Sequence, residues 1–182
     1  MQGEDGEAVV RLPCHSAAVS CTFNASTAES ALRLSPQCPT CRTVYALPGV
    51  QPTGSMQLAL HRQRCDGHPG CGSIVLHYHF PSGVQGPRHP EPGAPYRGTS
   101  RTCFYPHNTL GAQCVSLLRL AFSRGALFRI GDSATTGAGN VVVWAGIHQK
   151  TAPSSGHAHH GWPDETCLER LQSECAAKGI TL

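Results

Sequence analysis

GDSATTGAGNVVVWAGIHQKTAPSSGHAHHGWP, residues 131–163, contains the motifs from which the fold and a binding site can be predicted. It begins with a Gly/Ser/Thr loop, Gly131 to Gly137, whose backbone N–H groups and hydroxyls can bind a polar or phosphorylated ligand. The mostly β-branched residues from Asn140 to Trp144 predict a buried strand. Histidines follow on loop sequence, and a rigid strand that leads into a polar loop is a common place for a binding site. An ordinary turn followed by a solvent-exposed histidine cluster is the alternative.

The composition is that of a globular protein. The chain has 182 residues, of which 40% are hydrophobic and 14% charged, and this length suits one medium domain with or without a small module beside it. The net charge of +3 is too small to indicate nucleic-acid binding by bulk electrostatics. No apolar run reaches the length of a transmembrane helix, and the polar N-terminus does not resemble a signal peptide. We therefore expect a soluble protein of the cytoplasm, with the nucleus as a second compartment and no membrane partner.

The ten cysteines favour a zinc module over a disulfide scaffold. Cys38 and Cys41 form a C-x-x-C pair, which in a chain without a secretory signal indicates metal binding or redox chemistry. Such a pair can hold one zinc ion together with a distant Cys/His pair. Candidates for that second pair precede it: Cys14, His15 and Cys21. A further group matches no common structural zinc pattern: His61, Cys65, His68 and Cys71.

Strand patterns recur along the chain. Besides residues 140–144, strands are expected at Val9–Leu12, Ser73–Phe80, Thr102–Pro106 and Ala126–Ile130. In residues 73–80, His77 and His79 alternate with apolar residues, so we expect both histidines on the solvent face of a sheet. Pro81 to Pro95 is rich in Pro and Gly and predicts a long loop without helix or strand.

Helix patterns lie between and after these strands. Leu110 to Arg124 has apolar residues at helical spacing, with Gly125 as the stop. Asp164 is a suitable N-cap for a last helix, whose buried face is Leu168, Leu171 and Cys175. A shorter helix with an S-x-x-E capping box is expected at 26–34. The pattern predicts a domain at residues 47–182, entered through a Gly/Pro-rich connector at 47–56, and a small zinc module at residues 1–46.

Residues 47–182 resemble the C-terminal domain of the Deltex ubiquitin ligases. Gly49 to Met56 resembles the family's G-x-Q-P-x-G-x-M, and Gly83 to Gly93 (GVQGPRHPEPG) resembles its G-[IV]-Q-G-x-x-H-P-x-P-G loop. Gly131 to Gly137 resembles G-T-S-x-T-T-G. Trp144 to Thr151 (WAGIHQKT) and the HGWPD that follows resemble W-N-x-I-H-H-K-T and HGYPD. The resemblance implies an α+β fold with a mixed or antiparallel sheet and packed helices.

Residues 1–46 resemble part of a RING finger, in which eight ligands bind two zinc ions. Cys38 and Cys41 resemble the last ligand pair. The resemblance implies zinc ligands at Cys14, His15, Cys21, Cys38 and Cys41. All of these except Cys21 can complete one site, whereas the other site lacks its first two ligands. A degenerate module that binds little metal is the alternative.

The resemblance implies an E3 ubiquitin ligase. In Deltex proteins the RING recruits a ubiquitin-conjugating enzyme charged with ubiquitin, and the C-terminal domain binds ADP-ribose or NAD. The ligand, or an ADP-ribosylated protein or nucleic acid, is then ubiquitylated, and the family is linked to Notch-pathway proteins. Because the RING is incomplete here, the alternative is an ADP-ribose-binding reader or a scaffold without ligase activity.

The resemblance also implies the site residues. His148 and His160 match the histidines of the family's I-H-H-K and H-G-Y-P motifs, and Glu174 matches its helical glutamate. Catalysis is implied at Glu174 and His160, because a carboxylate or an imidazole can remove the proton of an attacking ribose hydroxyl. Ligand binding is implied at Gly131, Ser133, Thr135, Thr136, Trp144, His148, His160 and Trp162. Taken by itself, Glu174 would be an exposed helical partner of Arg170 or Lys178. The departures from the family motifs are Ala134, Ala145-Gly146, Gln149 and Trp162.

Overall fold

The computed structural model describes residues 9–11, 21–24, 38, 40 and 49–182. This part of the chain contains nine strands and two α-helices, in the order β1 Val9–Arg11, β2 Thr22–Asn24, β3 Ser55–His61, β4 Ser73–Phe80, β5 Gly83–Val84, β6 Pro95–Tyr96, β7 Thr99–Pro106, α1 Thr109–Ser123, β8 Phe128–Gly131, β9 Val141–Trp144 and α2 Cys167–Ala176. The described strands pair in antiparallel fashion. These elements confirm the predicted α+β class, and β1 confirms the strand expected at Val9–Leu12. The helix expected at 26–34 lies outside the described residues.

The central sheet has the strand order β3-β4-β7. On β4 the alternate residues Ile74, Leu76, Tyr78 and Phe80 are buried, whereas His77 and His79 are exposed, as the sequence pattern predicts. Each histidine contacts a hydroxyl on the neighbouring strand β7. His77 Nδ1 lies 3.2 Å from Thr102 Oγ1, and His79 Nδ1 lies 3.0 Å from Ser100 Oγ. These two histidines therefore belong to the outer face of the sheet.

Helix α1 covers the other face of the sheet. It buries Cys114, Val115, Leu117, Leu118 and Ala121. The helix begins where the Asn108 side chain accepts a 2.8 Å hydrogen bond from the backbone N–H of Gly111, which satisfies one of the free donors of the first turn. The helix ends at Ser123, and Gly125 two residues later has the left-handed φ of 68° that the predicted stop requires. Helix α2 packs against α1, and Cys114 Sγ donates to Leu168 O over 3.4 Å.

The Gly/Pro-rich segment before β3 packs as part of the domain. Gly49 N donates to Arg124 O over 2.8 Å, and Gln51 N donates to Gly125 O over 3.1 Å. Phe128 N donates to Gln51 Oε1 over 3.1 Å, which attaches the segment to β8. In its described part, the segment predicted as the connector into the domain therefore packs against the end of α1 through its backbone groups.

Two further sequence predictions are corrected in this region. Residues 81–95 contain the two-residue strand β5, which pairs with β6. Strand β3, at the edge of the sheet, was not among the expected strands, although Met56, Leu58 and Leu60 stand at every second position. Leu58 and Leu60 are 46% and 60% exposed, so the apolar face of this alternation is largely open to solvent.

Substituting Gly49 by Ala tests the close contact between the segment before β3 and the end of α1. An added Cβ would lie 1.7 Å from the backbone oxygen of Gly125, so the backbone must move, and we expect a loss of about 1–3 kcal/mol in unfolding free energy. Urea unfolding followed by tryptophan fluorescence measures it. Gly70→Ala is the control, because its Cβ would meet nothing within 4 Å. Equal destabilisation by both substitutions would contradict this account.

Candidate functional site

A cleft of about 450 Å³ lies between the segment after β9 and the residues that lead into α2. Its polar lining includes His148, Lys150, His157, His160 and Arg170. Within the described residues, none of the side chains that line it is acidic. The cleft therefore presents cations and hydrogen-bonding rings, a combination that suits an anionic, polar ligand.

Glu174, on helix α2, holds His148 at the edge of this cleft. Its Oε1 accepts a 2.6 Å hydrogen bond from His148 Nδ1, and its Oε2 accepts a 2.7 Å bond from the His148 backbone N–H. The histidine side chain is 71% exposed, whereas that of Glu174 is only 18% exposed. A carboxylate at Nδ1 fixes the ring orientation and favours the tautomer in which Nε2 can accept a proton. Glu174 is thus not merely an exposed partner within its own helix.

The turn that carries His160 is the second wall of the cleft. A 3₁₀ turn spans His157–His159, and His160 follows with a left-handed φ of 56°. Thr151 N donates to His160 O over 2.9 Å, which connects this turn to the segment that carries His148. The structure therefore brings His148 and His160 to one cleft, with Glu174 supporting His148.

A buried carboxylate, Asp164, lies behind the cleft. Its Oδ2 contacts Lys150 Nζ at 2.6 Å, His157 Nδ1 at 2.7 Å and Arg170 Nη2 at 3.0 Å. The Asp164 and Lys150 side chains are 6% and 4% exposed. Burial by itself would raise the pKa of the Asp164 carboxyl, but hydrogen bonds from Lys150, His157 and Arg170 hold that pKa well below its usual value. Asp164 is therefore ionised throughout the physiological pH range.

This position corrects the predicted role of Asp164. Helix α2 starts at Cys167 with Thr166 as its N-cap residue. Asp164 Oδ1 accepts from Thr166 N and from Thr166 Oγ1 at 3.2 Å and 3.1 Å. The aspartate therefore organises the turn before the helix and does not cap it.

The Gly131–Gly137 loop lies apart from the cleft. In the β8–β9 hairpin Gly131 pairs with Val141 and Phe128 with Trp144, so the loop and Trp144 are at opposite ends. Three of the loop's N–H groups are already bonded inside it: Ser133 N to Ala138 O, Gly137 N to Ser133 O, and Thr136 N to Ser133 Oγ. The expected donation of these groups to a ligand is therefore not available in this conformation. Thr135 is exposed at the tip.

The two tryptophans have structural contacts. Trp162 is fully buried and its Nε1 donates to Phe104 O over 2.8 Å. The predicted stacking of Trp162 on a ligand is therefore wrong for this structure, because the indole belongs to the core. Trp144 is partly exposed, and its ring centroid lies 4.3 Å from that of Phe128.

Two buried glutamines hold loops in place, and sequence analysis missed both roles. Gln149 Oε1 accepts from Tyr105 OH at 2.7 Å and from Tyr78 OH at 3.3 Å, beside His148. Gln85 Nε2 donates to Asn140 Oδ1 over 2.7 Å, which attaches the 83–93 loop to the 131–140 loop. The only sequence signal was their place inside apolar or motif segments. Sequence analysis also did not identify Lys150, His157 and Arg170 as cleft residues, because their approach to one another depends on the tertiary structure.

The zinc ligands fall mostly outside the described residues. Cys14, His15 and Cys41 lie there, whereas Cys21 and Cys38 are described and buried. Among the described residues, no group of three or more His, Cys, Asp or Glu side chains could hold a metal ion, so His61, Cys65, His68 and Cys71 form no such site. The RING-like zinc site stays a prediction.

Comparison with known proteins identifies the family. A family model described as the Deltex C-terminal domain matches residues 48–180. The chain belongs to the Deltex family. It is 41% identical over 148 residues to the E3 ubiquitin-protein ligase DTX4 of Mus musculus, which is 80% of this chain and 24% of that protein. It is also 41% identical over 154 residues to the probable E3 ubiquitin-protein ligase DTX3 of Homo sapiens, which is 83% of this chain and 44% of that protein.

The E3 ubiquitin-protein ligase DTX1 of Homo sapiens is 40% identical to the chain over 148 residues, 24% of its own length. The chain thus spans less than half the length of these Deltex relatives. All three relatives are named E3 ubiquitin-protein ligases, DTX3 as a probable one. Among the described residues of this Deltex chain, no helix is long and apolar enough to cross a membrane.

Replacing Asp164 by Asn tests the buried charge cluster of this Deltex domain. The substitution leaves Lys150 buried without its carboxylate, so we expect a loss of about 3 kcal/mol in unfolding free energy at pH 7. The low pKa of Asp164 means that its stabilisation is present above the unfolded-state pKa of about 3.9 and is lost as the pH falls through the folded-state pKa.

Urea unfolding at pH 7 and pH 3 measures both effects. The difference between wild type and Asp164→Asn should shrink at pH 3. Asp132→Asn, at an exposed position, is the matched control and should change stability little at either pH. A pH-independent difference for Asp164→Asn would show that the charge is not what stabilises the site.

Proposed function

We propose that this chain is the ADP-ribose-binding and catalytic part of a Deltex-type E3 ubiquitin ligase. The observation that carries the proposal is the His148–Glu174 pair at the edge of a cleft that His160 also lines. Arg170, which lines the cleft and is 35% exposed, adds positive charge of the kind that a pyrophosphate group needs, whereas Lys150 is 4% exposed and bound to Asp164. Membership of the Deltex family, whose relatives are named E3 ubiquitin-protein ligases, supports the same function.

The proposed reaction is attack of a ribose hydroxyl on the thioester of ubiquitin bound to its conjugating enzyme. The hydroxyl oxygen bonds to the carbonyl carbon, the carbon–sulfur bond breaks, and the enzyme's cysteine leaves as a thiolate. The His148–Glu174 pair takes the hydroxyl proton, and the Glu174 carboxylate stabilises the imidazolium that forms. His160 orients the hydroxyl from the neighbouring wall. Both residues expected to be catalytic therefore have a role, but Glu174 acts through His148 because each of its oxygens already accepts a hydrogen bond from that residue.

Direct transfer is favoured over a ubiquitin–cysteine intermediate in the cleft. The thiol that lines the cleft in the described structure is Cys167. Burial raises the pKa of Cys167 to about 11, so it stays protonated at neutral pH and is a poor nucleophile. The acceptor is therefore the bound ligand itself.

The remaining parts of the proposal rest on the resemblance to RING-containing Deltex proteins. Residues 1–46 recruit the charged conjugating enzyme, with zinc held by Cys14, His15, Cys38 and Cys41; thiolate and imidazole ligands suit zinc. The acceptor is ADP-ribose or NAD, or an ADP-ribosylated protein or nucleic acid. Action in the cytoplasm or nucleus and on Notch-pathway proteins belongs to the same proposal.

Calorimetric titration of ADP-ribose into the full chain tests the ligand. We expect saturable binding that weakens at least tenfold in His148→Ala and His160→Ala, because each change removes a ring from the cleft. His77→Ala is the control, since this exposed histidine contacts Thr102 on the outer face of the sheet. A folded wild type that does not bind ADP-ribose would refute the proposed ligand.

The transfer step is tested with Glu174→Gln. This change keeps the shape of the side chain but removes the charge that stabilises the imidazolium, so we expect transfer of ubiquitin to ADP-ribose to slow about 100-fold. Binding should change by only a few fold. Glu169→Gln, at an exposed position on the same helix, is the control. Wild type that binds ADP-ribose but transfers no ubiquitin from any charged conjugating enzyme tested would instead indicate a reader.

A further inference from the structure

We infer that Asp164 is the positioning residue of the cleft, which sets the spacing between the wall that carries His148 and the wall that carries His160. This inference rests on the proposed function, because it concerns the same cleft. Asp164 itself does not line the cleft, whereas its three partners Lys150, His157 and Arg170 do. Its influence on a ligand must therefore pass through those partners.

The geometry of the carboxylate joins three separate elements. A single oxygen, Oδ2, contacts Lys150 from the segment after β9, His157 from the 3₁₀ turn and Arg170 from α2. His148 lies two residues before Lys150 and His160 lies three residues after His157 in the chain. Both walls are thus anchored to one atom, close in sequence to the two site histidines.

Electrostatics explains why the anchor must be an anion. Lys150 Nζ lies 3.5 Å from His157 Nδ1, and Arg170 approaches the same oxygen. Without the negative charge the Lys150 ammonium, whose side chain is only 4% exposed, would lack its carboxylate and would be repelled by the Arg170 guanidinium. The two walls would still be joined by the hydrogen bond from Thr151 N to His160 O and by the pairing of Ala152 with Gly161. Phe104 also links them, since its N donates to Lys150 O and its O accepts from Trp162 Nε1. None of these contacts holds the ring of His157.

The three side chains that contact Asp164 differ in exposure, so one contact can be removed without disturbing the core. Lys150 is 4% exposed, so changing it risks unfolding, whereas the His157 side chain is 70% exposed. Truncating His157 therefore breaks one contact of the anchor without opening a cavity in the core. Asn at this position can place an amide N–H near the former Nδ1 and restore the contact without the ring.

The experiment uses the full chain with Asp164→Asn, His157→Ala and His157→Asn. Calorimetry measures ADP-ribose affinity, and NMR measures the imidazole carbon–hydrogen signals of His148 and His160 without ligand. Asp164→Asn and His157→Ala should each weaken binding about tenfold or more, since small displacements of a preorganised site have large effects. Both should also shift the His160 ring signals, and His157→Asn should restore most of the affinity and the signals.

His159→Ala is the matched control, because His159 is exposed on the same turn and no described contact joins its side chain to Asp164. It should leave affinity and ring signals unchanged. Since Asp164→Asn can fail to fold, the two His157 variants decide the question independently. Unchanged ring signals and affinity in folded Asp164→Asn or His157→Ala would overturn the inference. Failure of His157→Asn to restore the affinity would also overturn it, by assigning the effect to direct contact between the His157 ring and the ligand.

The two proposals fail in different ways. If wild type does not bind ADP-ribose, the proposed ligand is refuted, but the ring signals of His148 and His160 still test whether Asp164 positions them. If wild type binds and the variants match it in both measurements, the proposed ligand stands and the positioning role of Asp164 is refuted.

Discussion

The contact of one Asp164 oxygen with Lys150, His157 and Arg170 organises the side of the domain where the cleft lies. A buried cluster of this kind adds little net stability, because the desolvation of each ion offsets most of the attraction between the ions. Apolar residues of similar volume often stabilise a protein equally well. Its directional contacts instead determine where three chain segments lie. The residues that line the cleft come from those three segments.

Buried side-chain amides also fix the positions of chain segments elsewhere in the domain. Gln149 joins the segment after β9 to Tyr78 and Tyr105 of the central sheet. Gln85 joins two long loops through Asn140. Loops that lack regular hydrogen-bond ladders must satisfy their polar groups in some other way. Gln85 does so with both its donor and its acceptor, since its Oε1 also accepts a 3.0 Å hydrogen bond from Glu91 N. Gln149 bonds through its oxygen, and its buried Nε2 has no hydrogen-bond partner among the described residues.

How far the sequence predicts the structure depends on how local each signal is. Strand β4 and helix α1 were predicted well, because burial of one face imposes a period of two or of about four residues on the sequence. The same logic fails for β3, whose Leu58 and Leu60 are exposed at the sheet edge. It also fails for Trp162, since an aromatic residue in a polar motif can belong either to a site or to the core, and here it is fully buried. The expected cap at Asp164 was wrong because Thr166 precedes α2 directly.

By itself, the sequence determined the Deltex family and the α+β class, and it singled out His148, His160 and Glu174 as candidate site residues. Motifs and periodicity are local properties, so a single chain displays them without any knowledge of its fold. Only the tertiary structure decided that Glu174 binds His148, that the Gly131–Gly137 loop lies apart from the cleft, and that Asp164 contacts side chains from three segments. Each of these depends on the distance between residues far apart in the chain, and that distance is set by how the sheet, helices and loops pack.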